Sequence, residues 1–239
     1  MNCKTAVILA AGAGTRMKSE LPKVLHEVCG RPMVSHVISQ AKKAGAETII
    51  AVIGHGAEQV KEGLKEEEIL FALQEKQLGT GHAVMQAADR IPDEGDVFVL
   101  CGDTPLITSE TLAEFAAYHS GSNNAVTVLT AIFDNPFGYG RIIRGEDGNL
   151  QKIVEQKDAD ETEKAVKEVN AGMYCFNGAF LRENLPKLSN QNAQNEYYIT
   201  DLIGMAVESG AGAGAFAVNN PDEIMGVNNR IQLSEASRV

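Results

Sequence analysis

Two cations, Arg16 and Lys23, follow a glycine turn in Leu9-Ala10-Ala11-Gly12-Ala13-Gly14-Thr15-Arg16-Met17, with Leu21-Pro22 leading into the lysine. An apolar run that breaks into glycines and then cations reads as a buried strand delivering a phosphate-binding loop to the edge of a sheet. Gly12 and Gly14 suit a backbone that bends tightly and turns its N–H groups toward a triphosphate. Arg16 offers a planar fork for phosphate oxygens, and Lys23 a compact point charge suited to the α-phosphate. The same residues also suit an ordinary strand-to-helix turn with two solvated cations, because short glycine motifs match by chance. Two better-known loops are excluded. A dinucleotide fingerprint wants Gly or Ala where Met17 stands, and an acid where the chain has Ile53-Gly54-His55. No Gly-Lys-Ser/Thr of a Walker loop occurs.

Further along, Asp103 in Leu100-Cys101-Gly102-Asp103-Thr104-Pro105-Leu106 follows an apolar strand. Its carboxylate is placed to hold Mg²⁺, a hard ion that bridges phosphates, or to bond the backbone of its own turn. Gly226-Val227-Asn228-Asn229-Arg230 offers an amide oxygen as a second metal ligand, or a helix cap from either Asn. Gln74 carries paired donor and acceptor atoms for the imide edge of a pyrimidine, Gly79 leaves room for the base, and Thr80 adds a hydroxyl or caps a helix. His82 reads as structural. Gly140, Glu155 and Asn170 lie at strand ends, where they could bond sugar hydroxyls or an acetamido group, or serve as turn residues. Asn195 to Asp201 reads as a helix entrance. The remaining histidines show no metal spacing, and no nucleophile elbow or Cys/His pair supports covalent hydrolysis.

These residues need a scaffold, and the first half supplies strands at Thr5–Ala10, Thr48–Ile53, Ile69–Leu73 and Val97–Cys101. Helices fall between them near Pro32–Ala44, Ala57–Lys65 and Gly81–Arg90. The alternation implies right-handed crossovers, a mostly parallel sheet with helices on both faces, and a ligand beyond the carboxyl ends of the strands. A helix near Ser109–His119 follows. Val126–Ile132, Arg141–Ile143, Leu150–Glu155 and Val169–Phe176 then read as a smaller antiparallel lobe. Lys157–Lys167 is a solvated charged stretch. A helix at Ile199–Glu208, a strand at Ala213–Val218 and a helical run from Pro221 to Arg238 complete the chain.

At 239 residues the chain can bury a full core as one large domain. A net charge of -11 argues against a general nucleic-acid or membrane-surface binder, so an anionic ligand must meet a local cluster of cations. The four cysteines have no metal-like spacing and read as small buried hydrophobes in a reducing cytosol; a cytoplasmic protein is expected.

Leu9 to Lys23 meets without gaps the pattern L-x-x-G-x-G-T-R-M followed by P-K, and thereby resembles the sugar-nucleotide pyrophosphorylases. With Gln74–Ala83, Gly102–Leu106, Gly138–Arg141, Val154–Glu155, Glu196–Asp201 and Gly226–Leu233, the resemblance narrows. The whole chain is similar to the uridyltransferase half of the bacterial bifunctional N-acetylglucosamine-1-phosphate uridyltransferase/glucosamine-1-phosphate acetyltransferases. That resemblance implies an α/β fold, a Rossmann-like mostly parallel mixed sheet of the glycosyltransferase-A kind with a smaller antiparallel sugar-binding lobe. It implies Mg²⁺ on Asp103 and Asn228, triphosphate at Gly14, Arg16 and Lys23, and uracil near Ala11, Gln74, Gly79 and Thr80, with Leu9, Ala10 and Gly12 also among the substrate-binding positions. The sugar would meet Gly140, Glu155 and Asn170, and Arg16, Lys23 and Asp103 would carry catalysis. The implied reaction joins UTP to N-acetylglucosamine 1-phosphate for cell-wall precursor synthesis. The alternatives are a pyrophosphorylase for another sugar 1-phosphate, with UTP or dTTP, and a silent UDP-sugar-binding module. Residues 1–227 would form the transferase domain and 228–239 the start of a connecting helix. No hexapeptide repeat of the family's β-helix occurs, so acetyl transfer is not expected, and in place of the family's trimer a monomer or weak association is.

Overall fold

The computed structural model describes residues 3–238. In chain order the strands and helices are β1 Cys3–Ala10, β2 Glu27–Val28, β3 Arg31–Pro32, α1 Met33–Lys43, β4 Thr48–Ile53, α2 Ala57–Gly63, β5 Leu70–Leu73, α3 Thr80–Met85, β6 Asp96–Cys101 and α4 Ser109–Ser122. There follow β7 Val126–Ile132, β8 Arg141–Arg144, β9 Leu150–Val154, α5 Glu161–Lys164, β10 Glu168–Asn177, α6 Gly178–Asn184, α7 Asp201–Glu208, β11 Ala213–Ala217 and α8 Arg230–Ala236.

Strands β1, β4 and β6 are apolar without alternation because both of their faces are covered. Ala6, Ile8 and Ala10 of β1 enter one core with Ile38 of α1 and Phe115 of α4, whereas Val7 joins Val84 of α3, Leu181 of α6 and Ile203 of α7 in the other. Each fully buried Val, Ile or Phe contributes about 1.5–3 kcal/mol, so the two layers together outweigh any surface pair in fixing the sheet. On α1, Val34, Val37, Ile38 and Ala41 recur at helical spacing and face the first core.

The main path of the nine-stranded sheet runs β11-β7-β10-β6-β1-β4-β5. β1 pairs parallel with β4 and β6, and β7 with β11, while β10 runs antiparallel between β6 and β7. The antiparallel strands are thus joined to the parallel part through β10, which also takes β8, with β9 beyond it. Its register shifts between Asn170 and Tyr174. Glu168–Asn170 and Tyr174–Phe176 both pair with β7, in registers offset by the bulge, and the second segment also pairs with β6; the bulged Ala171 and Gly172 line a pocket near the end of β6.

The Pro221–Arg238 helical run is broken in the structure. A 3-10 turn covers Pro221–Ile224 and α8 begins only at Arg230, with an extended stretch between. In that stretch the Val227 N–H donates to the Asp103 carbonyl at 2.9 Å, a bond that a continuous helix would forbid. Cys29 also departs from expectation. It is exposed at a hairpin tip with φ +50, between β2 and β3, whereas Cys3 and Cys175 are buried. The charged stretch Lys157–Lys167 holds only the short α5, closed by a capping box between Asp160 and Glu163. Among the described residues no helix is long and apolar enough to cross a membrane.

Candidate active site

The parallel register brings Leu9 level with Cys101, Ala10 with Ile53, and Ile53 with Leu73, so β1, β4, β5 and β6 end on one edge. A cleft of about 280 Å³ opens there. Leu9, Ala10, Ala11, Gly12, Lys23, Gln74, Gly79, Thr80 and Asp103 line it, nine of the positions singled out from sequence. Beside it, about 220 Å³ is lined by Gly140, Glu155 and Asn170, with Leu9, Thr80 and Cys101 forming a wall common to both.

The glycine loop owes its shape to Gly14. Its φ is +60, and a Cβ there would lie 2.6 Å from the Cβ of Lys23, so a side chain would push the lysine off its line. Lys23 leads a 3-10 turn, and its ammonium donates to the Asp103 carboxylate and, at 3.2 Å, to Asn228 Oδ1. Arg16 donates to the same amide oxygen at 2.9 Å. Neither cation points away from the site.

The alternatives left open at Asp103 and the two asparagines separate here. Asp103 turns its carboxylate to Lys23, and its backbone carbonyl takes the Val227 N–H. Asn229 caps α8, accepting from Ile231 and Gln232 N–H groups at 2.9 Å each. Asn228 is thereby free to face the cations. One carboxylate and one amide oxygen gathered on a single ammonium make a sparse, all-oxygen donor set. Magnesium fits such a set because it keeps several waters and takes its other ligands from substrate phosphates. No group of three or more His, Cys, Asp or Glu suited to a metal occurs among the described residues, so a soft or tightly caged metal has no support.

Gln74 is buried, and its Nε2 donates to the Gly79 carbonyl at 3.1 Å and faces His82 Nδ1 at 3.0 Å. Of the donor–acceptor pair expected from sequence, the amide nitrogen is engaged within the protein, and Oε1 is the atom left open. The His82 ring lies between Gln74, at Nδ1, and Gln86, 3.4 Å from Nε2. Thr80 does not cap its helix. Gly79 holds the cap position at φ +105, and the Thr80 hydroxyl accepts the Ile199 N–H at 3.3 Å.

In the second subsite Asn170 accepts the Gly172 N–H at 2.8 Å and donates to the Tyr174 hydroxyl at 2.9 Å, holding the β10 bulge open. Glu155 stands beside it. Burial chiefly, with Asp158, Asp201 and Glu196 nearby, raises the Glu155 carboxyl above the usual carboxylate range. Burial and Asp158 do the same to Asp201. Among the lining residues not singled out from sequence are Cys101, whose thiol is pushed up to about 12 by burial and Asp103, and Thr200, whose buried hydroxyl is turned to the Glu155 carboxyl and offsets part of its upward shift. Sequence carried no signal for Thr200, since Asn195–Asp201 looks like a helix entrance.

The raised Glu155 value has a consequence for stability. The folded protein holds that proton more tightly than the unfolded chain, so ionised Glu155 costs stability at neutral pH. The cost is relieved as pH falls through the raised value and is gone below the ordinary value of 4.5. Glu155→Gln is therefore expected to raise Tm by about 2–4 °C at neutral pH. The gap should close in acid, as measured by calorimetry across a pH series; a gap that widens toward acid would refute the assignment.

The model of the family described as Nucleotidyl transferase matches residues 5–221, from β1 to the 3-10 turn before α8. The chain belongs to the nucleotidyl transferase family. Proteins named "Bifunctional protein GlmU" resemble this nucleotidyl transferase closely. The one from Trichlorobacter lovleyi is 54% identical over 241 residues, covering 100% of this chain and 52% of that protein. The one from Alkaliphilus oremlandii is 55% identical, covering 98% of this chain and 51% of that protein. The chain thus spans about half the length of the curated relatives it matches. In fold, the nucleotidyl transferase matches the crystal structure of a putative glucose-1-phosphate thymidylyltransferase from Bacillus anthracis, in complex with sucrose. The TM-score is 0.79 at 18% identity, over 98% of this chain and 94% of that one.

Proposed function

We propose that the chain transfers a uridylyl group from UTP to N-acetylglucosamine 1-phosphate, with Mg²⁺, giving UDP-N-acetylglucosamine and pyrophosphate. The observation that carries this reading is the meeting of Lys23, Arg16, Asp103 and Asn228 at the cleft beside Gln74, which shares a wall of Leu9, Thr80 and Cys101 with the subsite beside Glu155. Identity of 53–55% to the proteins named GlmU supports the choice of substrates.

A sugar 1-phosphate has a second pKa near ~6 and is largely ionised at neutral pH, so its oxygen attacks the α-phosphorus of UTP without a general base. The difficulty is bringing two anions together. Lys23 and Arg16 offset that repulsion and meet the charge that grows on the transferring phosphoryl group. The oxygens of Asp103 and Asn228 would hold the Mg²⁺, which when bound supplies Lewis-acid neutralisation of the phosphates. Gln74 Oε1 would accept the imide N–H of uracil, with Gly79 letting the base lie on backbone. Glu155, Asn170, the Gly140 backbone and Thr200 would face the sugar and its acetamido group.

The test is a panel of sugar 1-phosphates against UTP, dTTP, CTP and ATP, read by pyrophosphate release. Turnover should favour UTP with N-acetylglucosamine 1-phosphate; preference for glucose 1-phosphate or dTTP would replace the reading, and UTP binding without turnover would favour a silent module. Within the same panel Gln74→Ala should raise the KM for UTP roughly 10-fold and narrow its advantage over CTP, with little change in kcat. An unchanged UTP/CTP ratio would remove Gln74 from base selection.

A further inference from the structure

α8 begins two residues after Asn228, and its first turn is wired to the site in an unusual way. Asn229 is the cap, and the third helical residue is Gln232. In a capping box that third residue returns its side chain to the N–H of the cap itself. Here Gln232 Oε1 instead accepts the N–H of Asn228 at 2.8 Å, one residue earlier. The Asn228 side chain is steadied from the other direction, its Nδ2 donating to the Gly226 carbonyl at 3.2 Å. Arg230, at the first helical position, donates from Nε to the Met17 carbonyl at 3.2 Å, and Met17 closes the 3-10 turn that carries Arg16. One helical turn therefore holds the backbone of Asn228 and the base of the Arg16 loop. The helix itself is docked apart from the two main cores, in a small cluster of Val28, Met33, Val227 and Ala236 with Leu233 against it.

We infer that Gln232 and Arg230 are positioning residues: Gln232 sets where the Asn228 amide oxygen stands relative to Asp103, and Arg230 ties that setting to the Arg16 loop. A helix cap alone would need neither bond, since Asn229 already satisfies two N–H groups of the first turn. The inference rests on the proposed reading of Asn228 as a metal ligand. It adds that affinity for the divalent ion is set from outside the cleft, by residues that touch no substrate.

Gln232→Leu keeps the size of the side chain and removes the acceptor, whereas Gln232→Glu keeps an acceptor and suits the positive end of a helix. The half-saturating Mg²⁺ concentration of pyrophosphate release should rise about 10-fold in Gln232→Leu, with the KM for UTP at saturating Mg²⁺ within about twofold of wild type, and Gln232→Glu should restore it. Arg230→Ala should shift Mg²⁺ dependence in the same direction, and Arg230→Lys should recover part of the loss. A purely structural role predicts a lower Tm with no selective change in Mg²⁺ dependence, so thermal melts accompany each variant. Water-proton relaxation of Mn²⁺ in the protein–Mn²⁺–UTP complex gives the same comparison without turnover. If wild type turns over no substrate pair, the proposed reaction fails while the relaxation data still decide Gln232. Equal Mn²⁺ affinity in wild type and Gln232→Leu, or equal loss in Gln232→Leu and Gln232→Glu, would overturn the inference.

Discussion

Lys23→Ala should lower kcat by about 10²–10³-fold while leaving the KM for UTP within a few-fold and the fold intact. Among the described residues the ammonium is the one side-chain group that hydrogen-bonds both Asp103 and Asn228, and Lys23 lines the cleft beside Gln74. Its charge is needed most when negative charge grows on the transferring group, so removal costs the transition state more than the bound nucleotide. Lys23→Arg should recover little, because a planar fork cannot replace a point charge in a space bounded by Gly14. Initial rates at saturating UTP, with melts to exclude unfolding, check this. A Lys23→Ala enzyme with near wild-type kcat would show that the ammonium serves only to pair with Asp103.

Asp103→Asn is expected to reduce turnover by about 10³-fold and to raise the Mg²⁺ concentration needed for what remains. The substitution preserves shape and the backbone bond to the Val227 N–H, so stability should change little. What it removes is the single carboxylate of the donor set, leaving two neutral amides to hold a divalent ion beside a lysine. Since Lys23 and Asp103 bond each other, the double variant should lose far less than the product of the two single losses. Full Mg²⁺-dependent turnover by Asp103→Asn would remove it from the metal site.

Most of this site is legible in the sequence because the loops that carry it sit at strand ends, where residue type is constrained by chemistry. Leu9 to Lys23 can be read directly, since the run, the glycines and the cations each have a physical reason, and in the structure Lys23 and Arg16 both turn to Asn228. Asp103 and Asn228 can each be singled out from local sequence, but at 125 positions apart their pairing comes from the resemblance and not from spacing, and in the structure the extended break before α8 accompanies it. That break is invisible to periodicity. Pro221, Asp222 and Glu223 are good helix-start residues, and the Val227–Asp103 bond that interrupts the run is tertiary. The form of the β10 bulge is equally tertiary: Asn170-Ala171-Gly172 can be read as a strand interruption, but the offset it creates appears only in the pairing with β7. The short hairpin of β2 and β3 and the helix α6 were missed because neither has a periodic segment long enough to register.

The central claim is direct transfer: two anions held together by cations, with no protein nucleophile between them. The stereochemistry at phosphorus tests it most directly. With a single diastereomer of UTP carrying sulfur on the α-phosphate, ³¹P NMR of the nucleotide-sugar product reports the configuration. One in-line displacement predicts inversion; retention would mean two displacements through a covalent enzyme intermediate and would contradict the account.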